Sequence, residues 1–135
     1  MVDERILKFL KRHHVLTLAT CVDNQPSCSN AFYCYDAERN LFVVAADPDT
    51  RHAQEMVQNT NVAASIVLET RIVGKIQGVQ ICGAMARADL EARKAYLVCF
   101  PYTALMDITL WMLTPSYMKL TDNTLGFGKK MIWNK

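Results

Sequence analysis

The 135-residue chain carries 15 Lys or Arg against 13 Asp or Glu, a formal charge of +2 with its three histidines neutral. Its 51% hydrophobic share is enough for a core of its own, which excludes disorder as the main state, and the charge balance lacks the footprint of a dedicated nucleic-acid binder. The apolar run Val62 to Leu68 falls far short of the roughly 20 residues that cross a bilayer, and the mixed charges of Asp3 to Arg12 are unlike a secretory signal, so one cytoplasmic domain over residues 1–135, without membrane contact, is expected.

Residues 3 to 13 set Ile6, Leu7, Phe9 and Leu10 on one side and charges on the other, the period of an amphipathic helix that should lie on a sheet. Val15 to Val22 is β-rich and Asp23-Asn24-Gln25-Pro26 supplies turn chemistry, so a hairpin is predicted, with its return strand over Ser27 to Tyr35. Asp36 to Asn40 turns again and Leu41 to Ala46 reads as a short buried strand, which makes a meander. Asp47-Pro48-Asp49-Thr50 offers Pro and capping side chains to a helix over Arg51 to Gln58. Val62 to Glu69 and Ile76 to Ala86 follow as strands. Gly78 and Gly83 lie inside the second, where glycine marks a bulge, a barrel bend or a close approach. Asp89 to Phe100 is helical, with Asp89 as its cap and Leu90, Tyr96 and Leu97 as core candidates. Ile108 to Leu113, Tyr117 to Thr121 and Phe127 to Trp133 complete the strands. The sum is a mainly β fold with flanking helices, an antiparallel barrel closed or partly closed.

The junction Ala45-Ala46-Asp47-Pro48-Asp49-Thr50-Arg51-His52 is the most informative stretch. A helix N-terminus presents unpaired N–H groups and about half a positive charge, which favours an anion. Arg51 and His52 add donors there and Thr50 adds a hydroxyl, a chemistry that suits a phosphate monoester. The plainer reading is that Thr50 only caps the helix and both cations are solvated. Gly126-Phe127-Gly128-Lys129-Lys130 lacks the spacing and the Ser or Thr of a phosphate loop. No Gly-x-Ser-x-Gly elbow is present, and His13 and His14 suit the negative end of the first helix, so no catalytic residue is singled out. Cys21, Cys28, Cys34, Cys82 and Cys99 are odd in number and have no metal-ligand spacing, which predicts reduced thiols and no metal site.

The opening helix, Leu18-Ala19-Thr20, Ser29-Asn30-Ala31-Phe32-Tyr33, Thr50-Arg51-His52-Ala53-Gln54, Ile76 to Gly83 and Asp122 to Trp133 occur in an order that covers nearly the whole chain. In this it resembles the pyridoxamine-phosphate-oxidase-like FMN-binding split barrels, and within them a small bacterial branch with no assigned reaction. The stretches Thr50 to Gln54 and Asp122 to Lys130 are the specific part of that resemblance.

The resemblance implies a split β-barrel that binds FMN and forms a homodimer with the cofactor at its interface. The backbone of Ser29, Asn30, Ala31, Phe32 and Tyr33 would run along the flavin ring, with the Asn30 side chain adding a contact. Ala45 and Ala46 would lie near the ribityl chain, and Thr50, Arg51 and His52 would hold the phosphate. The family pattern has Lys where this chain has His52, which implies a weaker or pH-sensitive grip. Gln77 or Gln80 would touch the flavin; a regular strand puts them on opposite faces, so only one serves unless Gly78 marks a bulge. Phe100, Tyr102, Trp111, Tyr117, Phe127 and Trp133 suit an interface or an ordinary core alike. The C-terminal residues with which pyridoxamine-phosphate oxidases hold substrate have no evident counterpart, so that reaction is not carried over. The expectation is a flavoprotein oxidoreductase acting on an unidentified small-molecule substrate. The alternative is a non-catalytic split barrel that binds another ligand or a protein partner; haem has only the generic presence of His13, His14 and His52 behind it.

Overall fold

Alternation in the first β-rich segment does what a half-buried strand requires: Leu16, Leu18 and Thr20 are buried and Thr17, Ala19 and Cys21 face outward. The computed structural model describes residues 1–135, and this segment is β1, Val15–Val22. Asp23 and Asn24 adopt positive φ, a two-residue turn that matches strand twist, and pass the chain to β2, Gln25–Asp36. The strand β3, Leu41–Ala45, pairs with β2, and the helix α2, Arg51–Gln58, follows; β4 spans Asn61–Val67 and β5 spans Gln77–Arg87. The chain then forms α3, Leu90–Cys99, β6, Leu110–Asp122, and β7, Lys130–Asn134, after the opening helix α1, Glu4–Arg12. All pairings are antiparallel in the order β3-β2-β1-β4-β5-β6-β7, and β3 also pairs with β6, which closes a six-stranded barrel flanked by β7. No helix is long and apolar enough to cross a membrane.

Closure depends on one irregularity. The ladder between β5 and β6 shifts between Cys82 and Gly83, so that Cys82 faces Tyr117 while Gly83 faces Pro115 and Ser116 is the extra residue. There β6 stops pairing with β7, which it meets over Tyr117 to Thr121, and runs on to meet β3 over Leu110 to Leu113. Of the two glycines that mark this strand, Gly83 sits at the bulge, and the ladder runs regularly past Gly78. The strands expected at 108–113 and 117–121 are one strand, because Pro115 needs no ladder donor at a bulge.

Inward side chains of all six barrel strands form one core with Ile6, Phe9 and Leu10 of α1 and Ala53 and Met56 of α2. The helix α1 packs on β2 and on the start of β5: the Tyr33 hydroxyl donates to the Leu10 carbonyl at 2.6 Å, and Arg12 Nη2 donates to Gln77 Oε1 at 2.9 Å. Burial raises the Tyr33 pKa and keeps the hydroxyl a neutral donor. Tyr33→Phe strands a buried carbonyl at the end of α1 and should cost about 1–3 kcal/mol in urea unfolding; an unchanged midpoint would mean that α1 is held by its apolar face alone.

His13 stacks on Phe9 with ring centroids 4.1 Å apart, and burial, then the charges of Arg12 and His14, lowers its pKa. The unfolded chain therefore binds this proton first as pH falls. Stability is full above the ordinary histidine pKa and is lost as pH drops through it towards the folded value. Between about pH 7 and 5 this one group should contribute a slope of no more than about 1.4 kcal/mol per pH unit. His13→Asn should remove that component from thermal melts, whereas Asp89, held at about 2 by Arg39 and the Ala92 amide, acts at lower pH.

On the outer side, α3 covers β2 and β3 through a second cluster of Cys34, Leu41, Val43, Ala92, Tyr96 and Leu110. Only Tyr96 of the three core residues expected on this helix is buried; Leu90 and Leu97 are exposed because α3 lies on the barrel surface. The cysteine reading is also corrected: Cys34 and Cys99 form a disulfide, and Cys21, Cys28 and Cys82 are free. Parity of five could not show that α3 lays its last turn over β2.

Candidate functional site

The strand β3 ends at Ala45 and the chain turns straight into α2. Asp47 Oδ1 accepts from the Asp49 amide at 2.9 Å, and the Thr50 amide and hydroxyl both donate to the Asp47 carbonyl, at 3.0 and 2.7 Å. The same hydroxyl accepts from the Ala53 amide at 3.3 Å, so Thr50 is the helix cap. The amides of Arg51 and His52 precede the helix's own ladder, whose first backbone bond runs from Gln54 to Thr50. His52 Nε2 folds back to 3.3 Å from the Thr50 oxygen.

Arg51 leans the other way, its Nε 3.5 Å from Glu55 Oε1, with its side chain 71% exposed. Only the Arg51 end of this pair is in solvent and no hydrogen bond joins the two, so the guanidinium is able to swing to an anion at the helix mouth. Glu55 is itself buried and accepts from the Thr20 hydroxyl at 3.1 Å. Thr20 and Glu55 were not legible as a pair, since only the packing of α2 on the end of β1 joins them. The junction is also tied from behind: Trp111 Nε1 donates to the Ala46 carbonyl at 2.9 Å, and the Ala46 amide donates to the Thr109 carbonyl at 3.0 Å. A cavity of about 430 Å³ lies between Ala45, Ala46, Asp47 and Pro48 on one side and Asp107, Ile108 and Thr109 on the other.

On β2, Ser29, Ala31 and Tyr33 turn towards the barrel interior and Asn30 and Phe32 turn outward. The Ser29 Oγ is buried without a partner. Asn30 stands opposite Thr17, Thr17 opposite Ser65, Ser65 opposite Gln80 and Gln80 opposite Lys119, a polar row across five strands on the outer face. The Thr17 hydroxyl donates to Asn30 Oδ1 at 3.0 Å. The neighbouring row holds the small residues Ala19 and Ala63, and no helix covers it. Since Val79 and Ile81 are buried, Gln80 points out with that row, while the Gln77 carbonyl oxygen is engaged by Arg12. Both glutamines line a second cavity of about 340 Å³, which shares no residue with the one at the α2 junction.

A family profile described as pyridoxamine 5'-phosphate oxidase matches residues 2–121, nearly all of the barrel. The chain belongs to that family. It is 39% identical over 132 residues to the UPF0306 protein YhbP of Salmonella arizonae, a match that covers 95% of this chain and 90% of that one. Among solved structures it is similar to a protein of Mesorhizobium loti described as FAD-binding, with a TM-score of 0.71 and 15% identity over 89% of this chain and 94% of the other. It is also similar to HutZ of Vibrio cholerae, described as a haem storage protein, with a TM-score of 0.68 and 16% identity over 98% and 94%. At such identities the two structures establish the antiparallel split-barrel fold, and their ligands remain their own.

Proposed function

We propose that this chain is an FMN-binding flavoprotein of the pyridoxamine 5'-phosphate oxidase family, an oxidoreductase that acts as a homodimer on a small-molecule substrate. The observation that carries the reading is the α2 mouth, where the Arg51 and His52 amides precede the helix ladder, the His52 ring folds onto the Thr50 cap, and the exposed Arg51 side chain can turn to an anion, one turn on from the cavity at Ala45 and Ala46. That donor set matches a phosphate monoester, and the outward Asn30 adds polar capacity on β2. Bound flavin would supply hydride and electron transfer.

The protein's part is binding and orientation. Arg51 and His52 neutralise the phosphate, Ala45 and Ala46 leave room for the ribityl chain, and the β2 backbone from Ser29 to Tyr33 meets the ring, with Asn30 and Phe32 exposing side chains there. Gln80, not Gln77, is the glutamine open to a ligand. Its cavity is separate from the phosphate mouth, which suits a cofactor gripped by one protomer and met by Gln80 of a second copy across the small-residue face of β1 and β4. The visible spectrum of the purified dimer and its turnover of reduced nicotinamide with FMN, above the rate of free FMN, test this reading. A flavin spectrum with turnover supports it. A second reading, a non-catalytic barrel that stores or carries another ligand, is favoured by the haem-storage neighbour. Saturable haemin binding with no flavin spectrum and no turnover would establish that one instead.

A further inference from the structure

Of five cysteines, only Cys34 and Cys99 are joined, 65 residues apart, while Cys28 and Cys82 stay free and exposed. Small secreted scaffolds that depend on staples pair their cysteines; a single bridge beside exposed thiols, in a chain with a 22-residue core cluster, is the pattern of a redox pair. Its two sulfurs have unlike settings. Cys34 is 4% exposed beneath α3, and Cys99 is exposed in the last turn of that helix. Both line a cavity of about 300 Å³ with Lys11, His13, His14 and Phe100. His13 Nε2 is buried with no partner, and Lys11 and His14 are exposed beside it. The Cys34 Sγ lies 3.3 Å from the Ala95 carbonyl oxygen, so an acceptor for the reduced thiol is already in place.

We propose that Cys34–Cys99 is a redox-active disulfide that exchanges with a small carboxylate-bearing thiol entering this cavity. The incoming thiolate attacks the exposed Cys99 sulfur and forms a mixed disulfide. The protein S–S bond breaks, and its electron pair leaves on Cys34, which takes up a proton and donates to Ala95. A second thiolate attacks the small-molecule sulfur of the mixed disulfide and releases Cys99, which is protonated in turn. Two small thiols are oxidised to one disulfide and the protein bridge is reduced to two thiols; the reverse sequence closes it. Lys11, His14 and the unpartnered His13 Nε2 are the groups that receive the carboxylate.

The test uses the full chain in glutathione buffers at neutral pH, with differential alkylation and peptide mapping, and circular dichroism to follow folding. Cys34 and Cys99 should gain and lose label together and reversibly while the protein stays folded. Cys34→Ser should accumulate a glutathione adduct at Cys99, and in Cys99→Ser the buried Cys34 should label roughly tenfold more slowly than exposed Cys28. Lys11→Ala with His14→Ala should slow opening by glutathione without slowing opening by 2-mercaptoethanol. Should the Cys34→Ser chain misfold, the adduct trapped at Cys99 in the wild-type protein decides the same point. A bridge that opens only in denaturant, an adduct at Cys28 or Cys82 alone, or Cys34 and Cys99 remaining thiols in oxidised glutathione would each overturn the proposal.

Discussion

Trp111→Ala is expected to destabilise the protein by about 3–5 kcal/mol, read as a shift of the urea midpoint at unchanged slope. The side chain is 4% exposed in the main core, and Arg87 lies over its ring at 5.0 Å. Its removal leaves a cavity where β6 closes against β3, and it takes away the donor to the Ala46 carbonyl. Trp111→Phe separates the two effects. It keeps most of the apolar contact and should lose about 1–3 kcal/mol for the stranded carbonyl. Because Ala46 leads into the mouth of α2, this milder variant should also weaken FMN binding while the barrel stays folded. Unchanged stability in Trp111→Ala would mean that β3 and β6 do not meet as described.

Gly83→Ala should have the second largest effect, about 3 kcal/mol, from a single added methyl group. A Cβ at this position would lie 2.3 Å from the Thr114 carbonyl oxygen and 2.9 Å from the Pro115 Cα, and both are backbone atoms that cannot rotate away. Relief requires β5 and β6 to separate at the bulge that redirects β6 from β7 to β3. The same change at Gly78 meets the Ile66 carbonyl oxygen at 3.2 Å, a contact that a shift of a few tenths of an ångström relieves, so it should cost clearly less. Equal melting temperatures for the two variants would contradict the placement of the bulge.

The elements that rest on local chemistry were legible in the sequence. The period-two burial of Val15–Val22, the positive-φ turn at Asp23 and Asn24, and α2 from Arg51 to Gln58 behind its Thr50 cap all follow from neighbouring residues. The split barrel itself was legible through the order of its motifs. What escaped depends on which surfaces meet. Pro115 and Ser116 looked like a break between strands because a bulge and a terminus share the same residues. Leu90 and Leu97 looked like core because nothing in α3 says that its other face has only a barrel exterior to cover. The Cys34–Cys99 bridge needed the packing of α3 on β2, and the outward facing of Gln80 needed the inward facing of Val79 and Ile81. At the mouth of α2 the Thr50 cap was legible from the helix start, but the engagement of Arg51 by Glu55, and the buried bond of Glu55 to Thr20, were not.

The mouth of α2 is expected to read a phosphate, and a comparison of FMN with riboflavin, which lacks it, addresses that alone. Both flavins are titrated by fluorescence into the wild-type protein and into an Arg51→Ala, His52→Ala variant shown by circular dichroism to be folded. The wild type should prefer FMN by about a hundredfold or more, the value of two charge-assisted contacts, and the variant should bind the two flavins nearly alike. A variant that keeps the full preference for FMN would contradict the claim and place the phosphate elsewhere.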